Sequence, residues 1–232
     1  GFDRTNTVWV GDVKYKDISG PDGVPDGVID DYDKTNIGSP MPKFTFGWTN
    51  TFRYKNFDLS VFINGSYGNK VYNYLSMKLT HMNSPWTNQL NAVNGRAQLV
   101  PINPNKVYED GTMWYNDVSN VMVANPGASI PRATINDPND NDRISDRYIE
   151  DGSYIRLKNI SLGYTFPKKT IDKLGLSNLR IYANIQNLLT ITGYDGYDPE
   201  IGASTSSVNV YGLDNGRYPS PTVYSFGLNV SF

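Results

Sequence analysis

The stretch DGVPDGVIDDYD, Asp22 to Asp33, sets hard oxygen ligands at close spacing. Against the calcium-loop template D-x-[DN]-x-[DN]-G, Asp22 takes the first position and Asp26 the fifth. Gly27 takes the sixth, Asp30 the ninth and Asp33 the twelfth. Val28 offers a backbone carbonyl, and Ile29 sits where such a loop pins itself to a neighbour. Val24 occupies the third position and supplies no side-chain ligand, a loss that Asp17 or Ser19 repairs if the loop folds back. The competing reading is an acidic, Gly/Pro-rich solvated turn, and composition does not choose between the two. On either reading the role is structural.

Other residue types narrow the chemistry. There is no Cys, so disulfides and thiolate metal sites are absent. The single His81 excludes multi-His metal sites within the chain, and no nucleophile motif stands near it. The acids cluster in one loop rather than across a cleft, which argues against a glycan hydrolase with paired carboxylates. No catalytic residue is expected. Trp86, Trp114, Tyr115, Tyr194, Tyr197, Tyr211 and Tyr218 fall between the periodic segments. Aromatic faces there suit stacking on sugars or anchoring a protein partner, and equally suit packing of the loops on themselves. NDPNDNDR, Asn136 to Arg143, reads as polar and flexible with little to bury. TNQLNAVNGRAQLV reads as a short helix with irregular apolar spacing.

The elements that must position these residues are strands. Five segments alternate with period two. The first is Phe44 to Tyr54, the second Asn56 to Tyr67, the third Ser153 to Phe166 and the fourth Leu179 to Ile191. The fifth ends the chain, with Tyr224, Phe226, Leu228, Val230 and Phe232 on one side and small, mostly polar residues on the other. Lys55-Asn56 makes a tight hairpin between the first two, and PKKTIDKLGLSN links the third and fourth through about one helical turn. The other connections are long: residues 1–41, 69–152 and 191–220.

Placed up and down, the strands put both short links at one end and all long loops at the other, the asymmetry of outer-membrane barrels. A structureless connection as long as 69–152 counts against a compact soluble domain. Strands of this length match tilted membrane strands better than soluble ones. Mean hydropathy is −0.48, and alternating strands average out in this way. Net charge is −2, which points neither to a nucleic-acid partner nor to a polybasic anchor. Five strands do not close a wide barrel, and an open sheet leaves unpaired edges in hydrocarbon. The fold class expected is therefore all-β: an antiparallel transmembrane barrel segment whose missing strands come from elsewhere. Periodicity alone leaves open a secreted, calcium-stabilised β-sandwich acting as an adhesin or carbohydrate-binding module.

RYIEDGSYIRLKNISLGYTFP, Arg147 to Pro167, closely resembles a signature of the SusC/RagA-type TonB-dependent transporters, outer-membrane importers of Bacteroidetes-like bacteria. LRIYANIQNLLTITGYDGYDPEIG, Leu179 to Gly202, resembles the strand and loop that follow. The stretch from VGDVKYKDISG to INGSYGNKVYN resembles the upstream part, with Asn125-Pro126 and Pro131-Arg132 echoing a loop motif. The resemblance runs over nearly the whole chain. It implies the C-terminal part of a barrel of about 22 strands, with an N-terminal plug, a TonB contact and a SusD-like lipoprotein lid supplied outside this sequence. It implies a location in the bacterial outer membrane, import of oligosaccharides or oligopeptides, and a last strand read by barrel-assembly machinery. The usual acidic loop of these proteins is shorter, with the difference around Pro21 to Pro25.

Overall fold

The computed structural model describes residues 2–3, 8–135, 137–201, 203–204 and 207–232. The chain divides into two units, Gly38–Tyr74 with Arg147–Phe232, and Gly1–Ile37 with Leu75–Asp146. No helix among the described residues is long and apolar enough to cross a membrane, which leaves strands that do so untouched.

The first unit is built on five long strands: β1 Phe44–Tyr54, β2 Phe57–Tyr67, β3 Tyr154–Thr165, β4 Asn178–Thr192 and β5 Val223–Ser231. They form one sheet in the order β5-β4-β3-β2-β1, every neighbour antiparallel. Lys55 makes the β1–β2 turn at φ +52°. The β3–β4 link holds the short helix Lys168–Ile171 and a 3-10 turn over Asp172–Leu174, ended by left-handed Gly175.

Register carries the alternation of single strands across the whole sheet. Phe52, Leu59, Leu162, Ala183 and Phe226 are successive cross-strand partners, and so are Tyr54, Phe57, Tyr164, Ile181 and Leu228. The opposite face carries the row Thr51, Ser60, Ser161, Asn184, Ser225. Cross-strand apolar pairs of this kind are the unit of sheet stability, yet here they cover only one another. Phe226 is 84% exposed, Trp48 58% and Ile181 45%. A globular domain would bury these residues against a second layer. Phe46 lies over Gly65, where a Cβ would meet its ring at 2.5 Å, so the apolar surface stays closed even at a glycine.

Alternation fails at one place. Leu157 and Ile160 share the apolar face although they are three residues apart. Lys158 is the extra residue, bulged relative to β2, and β4 gains a residue relative to β3 at Asn187-Leu188, with Asn187 at φ +52°. The bulge turns Arg156 onto the polar side.

Apart from Ile171 in the β3–β4 link, most buried apolar residues of this unit lie among the segments beyond the sheet's long-loop end. Lys70–Asn73 pairs with Ile149–Asp151 and with Leu213–Asp214. Val71, Tyr148 and Tyr194 are buried there. The second unit is loop-rich. It holds most of the helix Tyr74–Thr80, a 3-10 turn over Asn91–Gly95 and a two-stranded pairing of Leu99–Pro101 with Val121–Val123. The helix expected around TNQLNAVNGRAQLV is reduced to that 3-10 turn, consistent with its irregular apolar spacing.

Candidate functional site

The polar face of the sheet carries two charged constellations. The first spans the short-link end. Arg180 donates Nε–H to Asp58 Oδ1 at 3.1 Å and a terminal N–H to Asp58 Oδ2 at 2.6 Å. This fork reaches from β4 to β2 across β3, where Gly163 leaves the space. A Cβ there would collide with the Arg180 guanidinium and with Asp58 Oδ1. Tyr182 likewise lies over Gly227, and the Arg180 guanidinium sits 5.1 Å from the Tyr182 ring centre. Small residues on this face are thus the floor beneath long polar ones.

The second constellation lies at the long-loop end and holds the two ends of the connection between β4 and β5. Arg156, 3% exposed, directs all three donor groups inward. It pairs with Asp198, reaches Glu200 Oε2 at 2.6 Å and donates Nε–H to Thr190 Oγ1 at 2.8 Å. Lys158, the bulged residue, meets Glu200 Oε2 at 2.8 Å. Asp198 also accepts the backbone N–H groups of Glu200 at 3.0 Å and Ser220 at 2.9 Å. Burial pushes the Asp198 carboxyl up, but the Ser220 and Glu200 amides and Arg156 outweigh it, and the group is held below the ordinary carboxylate range. Tyr194 donates its hydroxyl to Asp214 Oδ2 at 2.5 Å. Burial and that carboxylate push the phenol well above its ordinary range. This loop is therefore anchored at both of its ends.

The aromatic residues expected to face ligands divide into two groups. Trp86, Tyr115, Tyr197, Tyr211 and Tyr218 are exposed, and half-buried Trp114 packs edge-on against Tyr115 at 5.7 Å. Tyr194 belongs inside: it is 5% exposed and holds its loop rather than presenting a stacking face. Tyr224, Phe226, Leu228 and Val230 on β5, and Phe232 just after it, all stand exposed.

The acidic loop folds differently from the assigned ligand order. Asp17 Oδ2 accepts the Gly27 N–H at 2.6 Å, the reach across the loop that position one makes, while Asp22 sits exposed in an added turn closed by Gly23 N–H to Gly20 O at 2.9 Å. Asp33 accepts from the amides of Ile18, Ser19 and Asp30, and Asp30 caps the turn Asp31–Asp33. The amides of Asp30, Ile18 and Ser19 hold the Asp33 carboxyl below its ordinary value. Asp26 Oδ1 accepts from Val28 N–H. Asp17 Oδ1 is buried without a hydrogen-bond partner. Asp22, Asp26, Asp30 and Asp33 do not converge as three ligand atoms within 4.8 Å; among the described residues that arrangement occurs at His81, Asp137 and Asp142.

That second cluster corrects the reading of NDPNDNDR as a flexible strip; Asn136 itself lies outside the described residues. Asp137, Asn139 and Asn141 are almost fully buried. His81 Nε2 meets Asp137 Oδ2 at 2.8 Å and Nδ1 meets Asp142 Oδ2 at 3.2 Å. Asn141 gives Asp137 two further donors at 2.6 Å, accepts the Val13 N–H at 2.7 Å, and donates to Asp12, which pairs with Arg132 at 2.8 Å. The two imidazole nitrogens point to different carboxylates, and both oxygens of Asp137 are already engaged. The knot therefore ties segment 9–13 to 132–143 by hydrogen bonds and does not form a metal cage.

One polar face, one exposed apolar face and a loop held at both ends belong to an all-β protein built on a single antiparallel sheet. No known protein-family model matches the chain. It is 36% identical over 211 residues to TonB-dependent receptor P3 of Formosa agariphila, covering 89% of this chain and 18% of that receptor. It is 33% identical to receptor P26 of the same organism, covering 96% and 20%, and 29% identical to TonB-dependent receptor SusC of Bacteroides thetaiotaomicron, covering 89% and 17%. Its fold is similar to the RagAB peptide importer in the closed-closed state, with a TM-score of 0.59 at 19% identity, covering 92% of this chain and 20% of that one. In the open-open state the TM-score is 0.58. The chain is a homologue of SusC/RagA-type TonB-dependent receptors, consistent with their C-terminal segment. It spans about a fifth of the length of the relatives it matches.

Proposed function

We propose that this chain is the C-terminal portion of the barrel of an outer-membrane, TonB-dependent nutrient importer. The single observation that carries the reading is the continuous apolar face: five strands in register, aromatic at its margins, with its side chains exposed or half-exposed. Hydrocarbon is the solvent such a face requires, and the polar face with its charged forks then lines a wet interior. A sandwich would cover the apolar rows with a second sheet, and among the described residues none lies on them.

In the whole transporter, about 22 strands close the barrel. An N-terminal plug fills it and makes the TonB contact. Segments 1–41, 69–152 and 191–220 lie on the outer side and, with their exposed aromatics, contribute to a solute chamber under a SusD-like lipoprotein. The solute is an oligosaccharide or an oligopeptide. The relatives' names support TonB dependence, and the structural likeness to a peptide importer favours neither solute class. The chain itself carries out no catalysis in this reading. Calcium in the Asp22–Asp33 loop remains part of it, with Asp17 in place of Asp22 as the first ligand, supported by the Gly27 hydrogen bond and the unpartnered Asp17 Oδ1.

Expression of the full-length transporter, with and without residues 1–232, tests the reading. The complete protein is expected in the outer-membrane fraction as a heat-modifiable barrel, and the truncated one not. A chain 1–232 that is soluble and monomeric without detergent would overturn it.

A further inference from the structure

Lysines gather at the short-link end of the apolar face. At the β1–β2 turn, the Lys55 ammonium sits 5.3 Å from the ring centre of Tyr54. Tyr54 belongs to the row Tyr54, Phe57, Tyr164, Ile181, Leu228, so this cation lies on the apolar side of the sheet and not on the polar side. The neighbouring β3–β4 link adds Lys168, Lys169 and Lys173, all exposed. Ile171, 2% exposed, pins that link down. These four lysines are opposed in the two links by one aspartate, Asp172. The margin beside them is aromatic and apolar. Phe57 and Tyr164 lie tilted against each other at 4.7 Å, Tyr164 and Phe166 meet edge-on at 5.0 Å, and Leu174 is 69% exposed. At the far end of the same hairpin, Lys43 lies 6.0 Å from the ring of Tyr67. The eleven residues of β1 lie between these two lysine–tyrosine pairs. At about 3.3 Å per residue and a tilt of about 40°, that gives a height of ~28 Å, close to the roughly 25 Å of an outer-membrane apolar band.

We propose that the short-link end of this wall is a binding margin for anionic phospholipid headgroups, recognised by Lys55, Lys168, Lys169 and Lys173. The proposal rests on the reading that the apolar face meets lipid. Long lysine stems keep their carbons on the apolar margin while the ammonium reaches headgroup phosphates. Aromatic rings fix the depth at which they do so. Each lysine at an anionic surface is worth about a fivefold preference, falling off within a Debye length. The occupant is a lipid and not a soluble anion, because Lys55 is held over a ring of the apolar face.

The test uses the full-length transporter in vesicles of phosphatidylcholine, carrying trace spin-labelled phosphatidylglycerol or spin-labelled phosphatidylcholine. Motionally restricted label at the protein boundary is measured for each lipid. The unmodified protein is expected to favour phosphatidylglycerol at least fivefold, and the variant K55Q/K168Q/K169Q/K173Q to lose that preference. Equal preference in both proteins overturns the proposal, as does no preference in the unmodified one. If the variant does not assemble, salt decides on the unmodified protein: a preference that survives about 0.5 M salt overturns it. Absence of restricted label for both lipids would instead mean that the apolar face does not meet lipid, a distinct failure.

Discussion

Replacing Arg156 by Met should free the loop 193–220 without unfolding the wall. The Arg156 side chain is 3% exposed, and its three donor groups hold Asp198, Glu200 and Thr190. Removing one member of a buried ion pair costs about 3–5 kcal/mol, because the partner is left charged without compensation. Two features place this case near the lower bound. Asp198 keeps the amides of Glu200 and Ser220, and Glu200 is 37% exposed and keeps Lys158. A loss of about 3 kcal/mol corresponds to roughly a hundredfold shift in the local opening equilibrium. Hydrogen exchange on the full-length transporter reads this at the amides of Ser220 and Glu200, which donate to Asp198. Their protection should fall about a hundredfold, while β3 and β4 amides near Ser161 and Asn184 stay protected. The double variant R156M/D198N should recover most of the loss, since it neutralises the buried carboxylate and leaves Glu200 paired with Lys158. Unchanged protection at Ser220 and Glu200 would refute the anchoring role. So would a loss spread evenly along β3 and β4.

Leu162→Arg, in the middle of the apolar rows, should cost about 2–4 kcal/mol of barrel stability and cut assembled, heat-modifiable protein, whereas Ser161→Asn on the opposite face should not. Gly163→Val should displace the Arg180–Asp58 fork and lower the urea midpoint of the assembled barrel more than Gly227→Ala, where the ring of Tyr182 can swing aside. The lobe 99–123 is organised around Asp117, whose carboxyl is held well below the ordinary carboxylate range by Lys106, then by Ser119 and Tyr108. A depressed folded value means that this stabilisation is present above about pH 4 and is lost as pH falls further. Exchange protection in 99–123 should drop below that pH, and Asp117→Asn should remove the dependence. Calcium, added to chelator-treated transporter, should raise amide protection across residues 17–33, and Asp17→Asn should weaken that response more than Asp22→Asn.

The parts of the fold that were legible from sequence are those governed by local periodicity. Phe52, Leu59, Leu162, Ala183 and Phe226 each announce a face in their own strand, and antiparallel register lines those faces up. What was not legible depends on long-range closure. Lys158 looks like one more residue of an alternating run; only its neighbours on β2 reveal a bulge, and with it the inward turn of Arg156. Nothing in YIRLKN says that its arginine is the buried one, because its partners stand more than forty residues away at Asp198 and Glu200. NDPNDNDR misleads for the opposite reason. Its polar composition suits a solvated strip, but Asp137 and Asn141 find His81, Asp12 and the Val13 amide, so that burial is compensated by hydrogen bonds. Asp22 fits the calcium template by counting, but it is Asp17 that takes the Gly27 N–H, while Asp22 lies in a turn closed by Gly23 N–H to Gly20 O.

The direction of the oily face is the claim on which the rest depends, and β4 is the strand to measure. Residues 1–232 hold no cysteine, and with any cysteine elsewhere in the full-length transporter replaced by serine, single spin labels can be placed from Ile181 to Gln186 in vesicles. Collision rates with oxygen should peak at 181, 183 and 185, and rates with a polar nickel chelate at 182, 184 and 186. The reverse pattern, or no alternation along these six positions, would contradict the account.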